Sequence, residues 1–148
     1  MTNSKIVLDS NIFIKLFFKE EDRLQAIELI KELGKRNYQV LAPNLFLYEV
    51  LSVAAYSEFP TWSAYELIRQ HQKVNLQLVD IDEKTIRDAI GITEQGHRNS
   101  GYPSFYDSAY HALAIGNTCQ FVTADKRHEA KTKQVGYITL LKDWEALF

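Results

Sequence analysis

The chain has 148 residues, a formal net charge of −2, and 46% hydrophobic against 24% charged residues, a balance expected of one globular domain with a closed core. No apolar run nears the roughly 20 residues of a membrane span, and the opening MTNSKIVLD shows no signal-peptide pattern; the near-neutral charge gives no bulk electrostatic reason to bind nucleic acid. The lone Cys119 excludes an internal disulfide framework and a cysteine zinc site, so a reducing, cytoplasmic setting is expected.

Short apolar runs alternate with helical patterns along the chain. KIVLD (5–9) reads as a buried strand. A helix is predicted over 22–33, where Leu24, Ile27, Leu29, Ile30 and Leu33 share a stripe and Gly34 ends it. QVLA (39–42) is the second strand; helices over 44–57 and 63–73 follow, with Pro60 at the break and SAYE (Ser63 to Glu66) as a capping box. LQLVD (76–80) is the third strand, and helices over 83–95 and 104–116 flank the loop GHRNSGYP. QFVT (120–123) and GYITLL (136–141) complete five strands, with a short helix after Asp125 and a last turn in KDWEALF. Strands separated by helices imply right-handed crossovers and a parallel sheet covered on both faces. The expectation is one three-layer α/β domain over residues 1–148.

Four acids stand out. Asp9 ends the first strand and Asp125 follows the fourth, and open parallel sheets bind ligands beyond the carboxyl ends of their strands. Either residue could instead cap the helix that follows it, near Asn11 or after Asp125. Glu49 lies in NLFLYEVLSVAAY and Asp107 in PSFYDSAYHALAIG, both otherwise apolar or aromatic for most of their length. Carboxylates are rarely buried unless paired or metal-bound, because desolvation costs several kcal/mol per ion. No Arg or Lys lies at helical spacing from Glu49, and the i+4 neighbour of Asp107 is His111. Ser108, Ala112 and Gly116 recur every four residues, a small-residue ridge expected to bring that helix close to the sheet. Carboxylates gathered from four segments repel one another and call for a cation. Oxygen-only ligands favour Mg²⁺ or Mn²⁺, whose chemistry suits phosphodiester hydrolysis.

With these motifs the chain resembles the PIN-domain ribonucleases, and most closely the VapC-like toxins of toxin–antitoxin pairs. VLDSNIFI is similar to the family's first motif, LAPNLFLYEV to its second, SFYDSAYHALA to its third and FVTADKR to its fourth, in order and across the whole chain. The resemblance implies a Rossmann-like PIN domain with a five-stranded parallel sheet in the order 3-2-1-4-5. It implies that Asp9 and Asp107 hold the principal ion and that Glu49 supports a water. Asp125 would complete the site or a second metal position, with Thr123 orienting Asp9 beside Asn11. It further implies an RNA substrate, a homodimer and an antitoxin whose tail covers the crevice. Tyr56, Phe59, Trp62 and Tyr65 are the aromatics expected to receive that tail.

Two divalent ions would add four positive charges to the net −2 and let the protein attract RNA. Lys15, Lys126 and Arg127 are the expected phosphate contacts, with His97 and Arg98 as weaker ones and His111 and His128 unassigned. Two rival readings remain. A phosphorelay receiver also collects aspartates at strand ends, and Asp80, Asp82 and Lys142 superficially suit it, but it expects an acidic pair where Asp9 stands alone. A PIN-like fold could also serve as a non-catalytic binding module.

Overall fold

Ile6, Val7 and Leu8 are all buried and form, with Lys5, the central strand β1 (Lys5–Leu8), as a strand covered on both faces requires. The computed structural model describes residues 4–148; residues 1–3 of the expected domain lie outside the described residues. After β1 come α1 (Ser10–Ile14), α2 (Arg23–Lys35), β2 (Gln39–Pro43), α3 (Leu45–Tyr56) and α4 (Thr61–Val74). Then follow β3 (Leu76–Val79), α5 (Glu83–Gln95), α6 (Phe105–Gly116), β4 (Phe121–Thr123), α7 (Lys126–Lys131), β5 (Ile138–Leu140) and a closing 3₁₀ segment, Leu141–Leu147. The strands form one all-parallel sheet in the order β3-β2-β1-β4-β5, flanked by the helices.

This is the expected topology, and it removes the receiver reading, whose strand order is 2-1-3-4-5. The acids that suited a receiver do local work: Asp80 accepts from the Asn44 amide side chain, and Asp82 caps α5 by accepting from the Thr85 N–H at 2.8 Å.

The main core runs from β1, β2 and β4 to Phe13 of α1, Leu29 and Leu33 of α2, Phe46 and Val50 of α3, and Tyr110 and Leu113 of α6. Phe13 and Phe46 meet edge to face at 5.3 Å, a favoured aromatic geometry. A smaller cluster of Ala89, Ile92 and Ala112 joins α5 to α6. The small-residue ridge of α6 therefore brings this helix close to α5, and the residues of α6 in the sheet core are Tyr110, Leu113 and Ala114. Gly116 at the end of that ridge is exposed.

Several expected boundaries are corrected. Helix α2 continues through Gly34 to Lys35; the left-handed residue beyond it is Asn37, at φ 55°. Leu24 is 65% exposed and lies off the buried stripe, which is Ala26, Leu29 and Leu33. Ser63 and Glu66 form no capping box, because α4 starts two residues earlier with Pro60 at its N-cap, where the missing proline N–H costs nothing. The last strand shortens from 136–141 to Ile138–Leu140, with Gly136 and Tyr137 both at positive φ before it. Helix α1 follows Asp9 directly and has only five residues. The loop over 96–103 is closed by reciprocal 2.8 Å backbone bonds between His97 and Gly101.

Candidate metal centre

Neighbouring strands β1 and β4 end side by side, with Leu8 opposite Val122, which sets Asp9 beside Thr123. The Asp9 N–H donates to the Val122 carbonyl at 3.0 Å. The Thr123 hydroxyl donates to Asp9 Oδ2 at 2.7 Å and accepts from Asn11 Nδ2 at 3.2 Å and from the Asp125 N–H at 3.0 Å. Asn11 Oδ1 in turn accepts from the Ala124 N–H at 3.3 Å. One hydroxyl thus ties both strand-end acids and Asn11 together.

Both strand-end acids also cap helices, so the simpler reading of each is true as far as it goes. Asp9 Oδ1 accepts from the Asn11 N–H at 3.3 Å at the start of α1. Asp125 Oδ1 accepts from the N–H groups of Arg127 and His128 at 2.9 and 3.1 Å at the start of α7. Its Oδ2 has no hydrogen-bond partner among the described residues.

The two helical acids lean into the same crevice. Glu49, half-buried on α3, takes hydrogen bonds on Oε1 from the Tyr110 hydroxyl at 2.7 Å and from Ser10 Oγ at 3.1 Å. Ser10 Oγ also lies 3.4 Å from Asp9 Oδ1. Asp107 sits in the first turn of α6, which Ser104 caps by accepting from the Asp107 N–H at 3.1 Å.

Burial pushes the Asp9 carboxyl up to about 7; the Thr123 hydrogen bond opposes this, and the charges of Asp107 and Glu49 add to it. Asp107 is also raised, first by burial, then by Asp125 and Glu49. Asp9 thus feels Asp107 and Glu49, and Asp107 feels Asp125 and Glu49. Among the described residues no three Asp, Glu, His or Cys side chains are gathered closely enough to hold an ion as they stand. The donor set is all oxygen, half-buried or deeper, and free of any Lys or Arg ion pair among the described residues, which fits a hard divalent ion.

Of the expected phosphate contacts, Lys126 and Arg127 are exposed beside Asp125. Lys15 is not free for RNA: it is 7% exposed and bridges Glu20 at 2.6 Å and Asp22 at 3.0 Å, so it anchors the segment before α2. Of the four aromatics expected in a docking groove, Tyr56 and Trp62 are 91% and 68% exposed. Phe59 instead stacks on Phe17 at 4.8 Å, and Tyr65 lies against Trp62 at 5.1 Å.

His111 does not reach Asp107. Its Nε2 lies 2.7 Å from the Gly136 carbonyl and its Nδ1 3.1 Å from His128 Nε2. A carbonyl only accepts, so His111 carries its proton on Nε2 and its bare Nδ1 accepts from His128 Nε2–H. His128 Nδ1 is then a bare, buried nitrogen without a partner among the described residues. Both rings are expected as neutral Nε2–H tautomers at neutral pH, which nitrogen NMR reads directly. Burial lowers His111, and burial with the neighbouring imidazole holds His128 down at about 4, against an ordinary 6.5. Since the folded values are depressed, the pair's contribution to stability is complete above 6.5 and is lost as pH falls toward 4. Urea denaturation of an Asp9→Asn/Asp107→Asn double variant across that range exposes the effect, because both of those raised acids contribute with the opposite sign; flat stability there would refute it.

The fold and crevice define a class: a doubly covered parallel α/β domain that concentrates carboxylates beyond two adjacent strand ends. Within that class, the sequence profile of the PIN domain matches residues 6–134, and the chain belongs to the PIN domain family. Among curated proteins no sequence matches it. Among solved structures it is similar to VapBC2 from Rickettsia felis, with 16% identity, 92% of this chain and 96% of that one covered, and a TM-score of 0.67. It is also similar to VapC20 from Mycobacterium tuberculosis, a toxin that cleaves the sarcin–ricin loop, with 14% identity, coverage of 84% and 93%, and a TM-score of 0.66. FitAcB from Neisseria gonorrhoeae matches with 12% identity, coverage of 94% and 98%, and a TM-score of 0.64. At these identities the likeness is one of fold.

Proposed function

We propose that this PIN domain, acting as one unit over residues 1–148, is a metal-dependent endoribonuclease and the toxin of a VapBC-type toxin–antitoxin pair. The observation that carries the reading is the placement of Asp9 at the end of β1, where burial lifts its carboxyl to about 7 and the charges of Asp107 and Glu49 add to the rise; a divalent cation relieves that repulsion. Asp9 and Asp107 are the proposed principal ligands, Glu49 supports them or the attacking water, and Asp125 serves the same ion or a second. When bound, Mg²⁺ or Mn²⁺ supplies Lewis acidity toward water and toward the phosphoryl oxygens. The protein's own part is orientation: Thr123 and Asn11 fix Asp9, while Lys126 and Arg127 offer charge to the RNA backbone.

The toxin assignment draws on the VapBC2 and VapC20 likenesses, and exposed Tyr56 and Trp62 suit an antitoxin segment or a second copy in a homodimer. Among the described residues no helix is long and apolar enough to cross a membrane, and a cytoplasmic site of action is proposed. A housekeeping nuclease of RNA maturation or decay would use the same crevice. The capping bonds of Asp9 and Asp125 favour one other reading, a non-catalytic module that keeps these acids for structure.

The test is incubation of a mixed RNA pool with Mg²⁺, with Mn²⁺ or with EDTA. The expected result is cleavage only with metal, the fragment ends giving the target. Cleavage that persists in EDTA would overturn the metal requirement, and metal binding without cleavage of any RNA would favour the module.

A further inference from the structure

Tyr110 is fully buried on α6, its ring stacked on Phe121 at 5.7 Å between centroids and 21° between planes. A core position that needed only filling would take phenylalanine, since a buried hydroxyl is costly unless hydrogen-bonded. This hydroxyl has its partner in Glu49, 61 positions away in sequence, at 2.7 Å. The locked ring cannot follow a moving carboxylate, so the carboxylate is held at the hydroxyl. Ser10 Oγ donates to the same oxygen, Oε1, at 3.1 Å, and Oε2 has no hydrogen-bond partner among the described residues. Both donors are neutral. A Lys or Arg in their place would also fix the side chain but would cancel its charge, whereas a phenol leaves the negative charge for a cation.

We propose that Tyr110 is a positioning residue: it holds Glu49 by Oε1 and so turns Oε2 toward the ion-binding crevice. The proposal rests on the metal-nuclease reading above. It makes α6 the element that sets two acids at once, Asp107 directly and Glu49 through a hydroxyl three residues further on.

Tyr110→Phe keeps the ring and its stack and removes only the donor. With the full chain, Mn²⁺ titrated calorimetrically should bind about 10-fold more weakly to Tyr110→Phe than to wild type, the size of effect typical when a ligand's supporting hydrogen bond is removed. Far-ultraviolet circular dichroism, which reports the helices and the sheet and not the lost phenol, should stay unchanged. In a Glu49→Gln background the same substitution should change Mn²⁺ affinity by less than about 2-fold, because its only route of action is gone. Equal affinity of Tyr110→Phe and wild type would overturn the proposal while leaving the metal site standing. A full loss persisting in Glu49→Gln would also overturn it, assigning Tyr110 to packing. Wild type that binds no Mn²⁺ would bring down the metal reading itself and this proposal with it.

Discussion

Asp9→Asn should abolish RNA cleavage, by a factor of about 100 or more, and at the same time make the metal-free protein more stable. The two effects have one cause. Asp9 is 4% exposed, and its folded pKa of about 7 lies above the ordinary 3.8. Folding therefore favours the protonated acid. The associated stability is complete below 3.8 and is lost as pH rises through about 7. By about pH 8 the buried charge costs on the order of 2–4 kcal/mol, less about 1 kcal/mol for one accepted hydrogen bond, because asparagine keeps a single acceptor oxygen where Asp9 uses one for the Asn11 N–H and one for the Thr123 hydroxyl. Urea denaturation in EDTA should show the variant more stable than wild type at about pH 8 and the gap closing toward about pH 4. Adding Mn²⁺ should stabilise wild type and leave Asp9→Asn unmoved. A variant that loses stability at high pH would mean that Asp9 is held by its hydrogen bonds alone.

Thr123→Val should cost about 2–3 kcal/mol and lower the cleavage rate about 10–100-fold. The side chain is fully buried, and valine fills the same volume, so packing is conserved and only the hydroxyl is lost. That hydroxyl donates to Asp9 and accepts from both Asn11 and the Asp125 backbone; its removal orphans two N–H donors. It also strips Asp9 of the hydrogen bond that opposes its upward shift, so the carboxyl rises further. The rate defect should therefore shrink as pH is raised, a trend that single-turnover cleavage across about pH 6.5 to 8.5 would reveal. Thr123→Ser should restore most of the rate. A pH-independent defect would show that Thr123 acts through backbone position instead.

Apolar strand runs followed by an acid were enough to place Asp9 and Asp125 at strand ends, because runs buried on both faces mark the strands; that the two strands are neighbours came from the resemblance to PIN domains, since strand order leaves no mark in hydrophobic spacing. Elements decided by one residue's backbone angle were less legible. Gly34 looked like a helix stop, yet it takes an ordinary helical conformation and Asn37 makes the left-handed turn. Helix α1 has too few residues to show periodicity, and the proline start of α4 hid behind a plausible capping box. Long-range side-chain contacts left no trace in spacing. Tyr110 reads as one more core aromatic until its hydroxyl is seen at Glu49. Lys15 reads as a surface cation until Glu20 and Asp22 enclose it.

The double use of Asp9 and Asp125 bears on how such a site decays over evolutionary time. Each cap is worth about 1 kcal/mol, but at Asp9 the cost of the buried charge outweighs it, so selection for folding alone resists the loss of Asp125, with its two backbone bonds, and not that of Asp9. A descendant released from its chemistry would shed Asp9 early, because its loss relieves the fold, and carry Asp125 onward as a relic. Among relatives, Asp9 is therefore the informative position for retained activity, and Asp125 marks common ancestry and a folded chain.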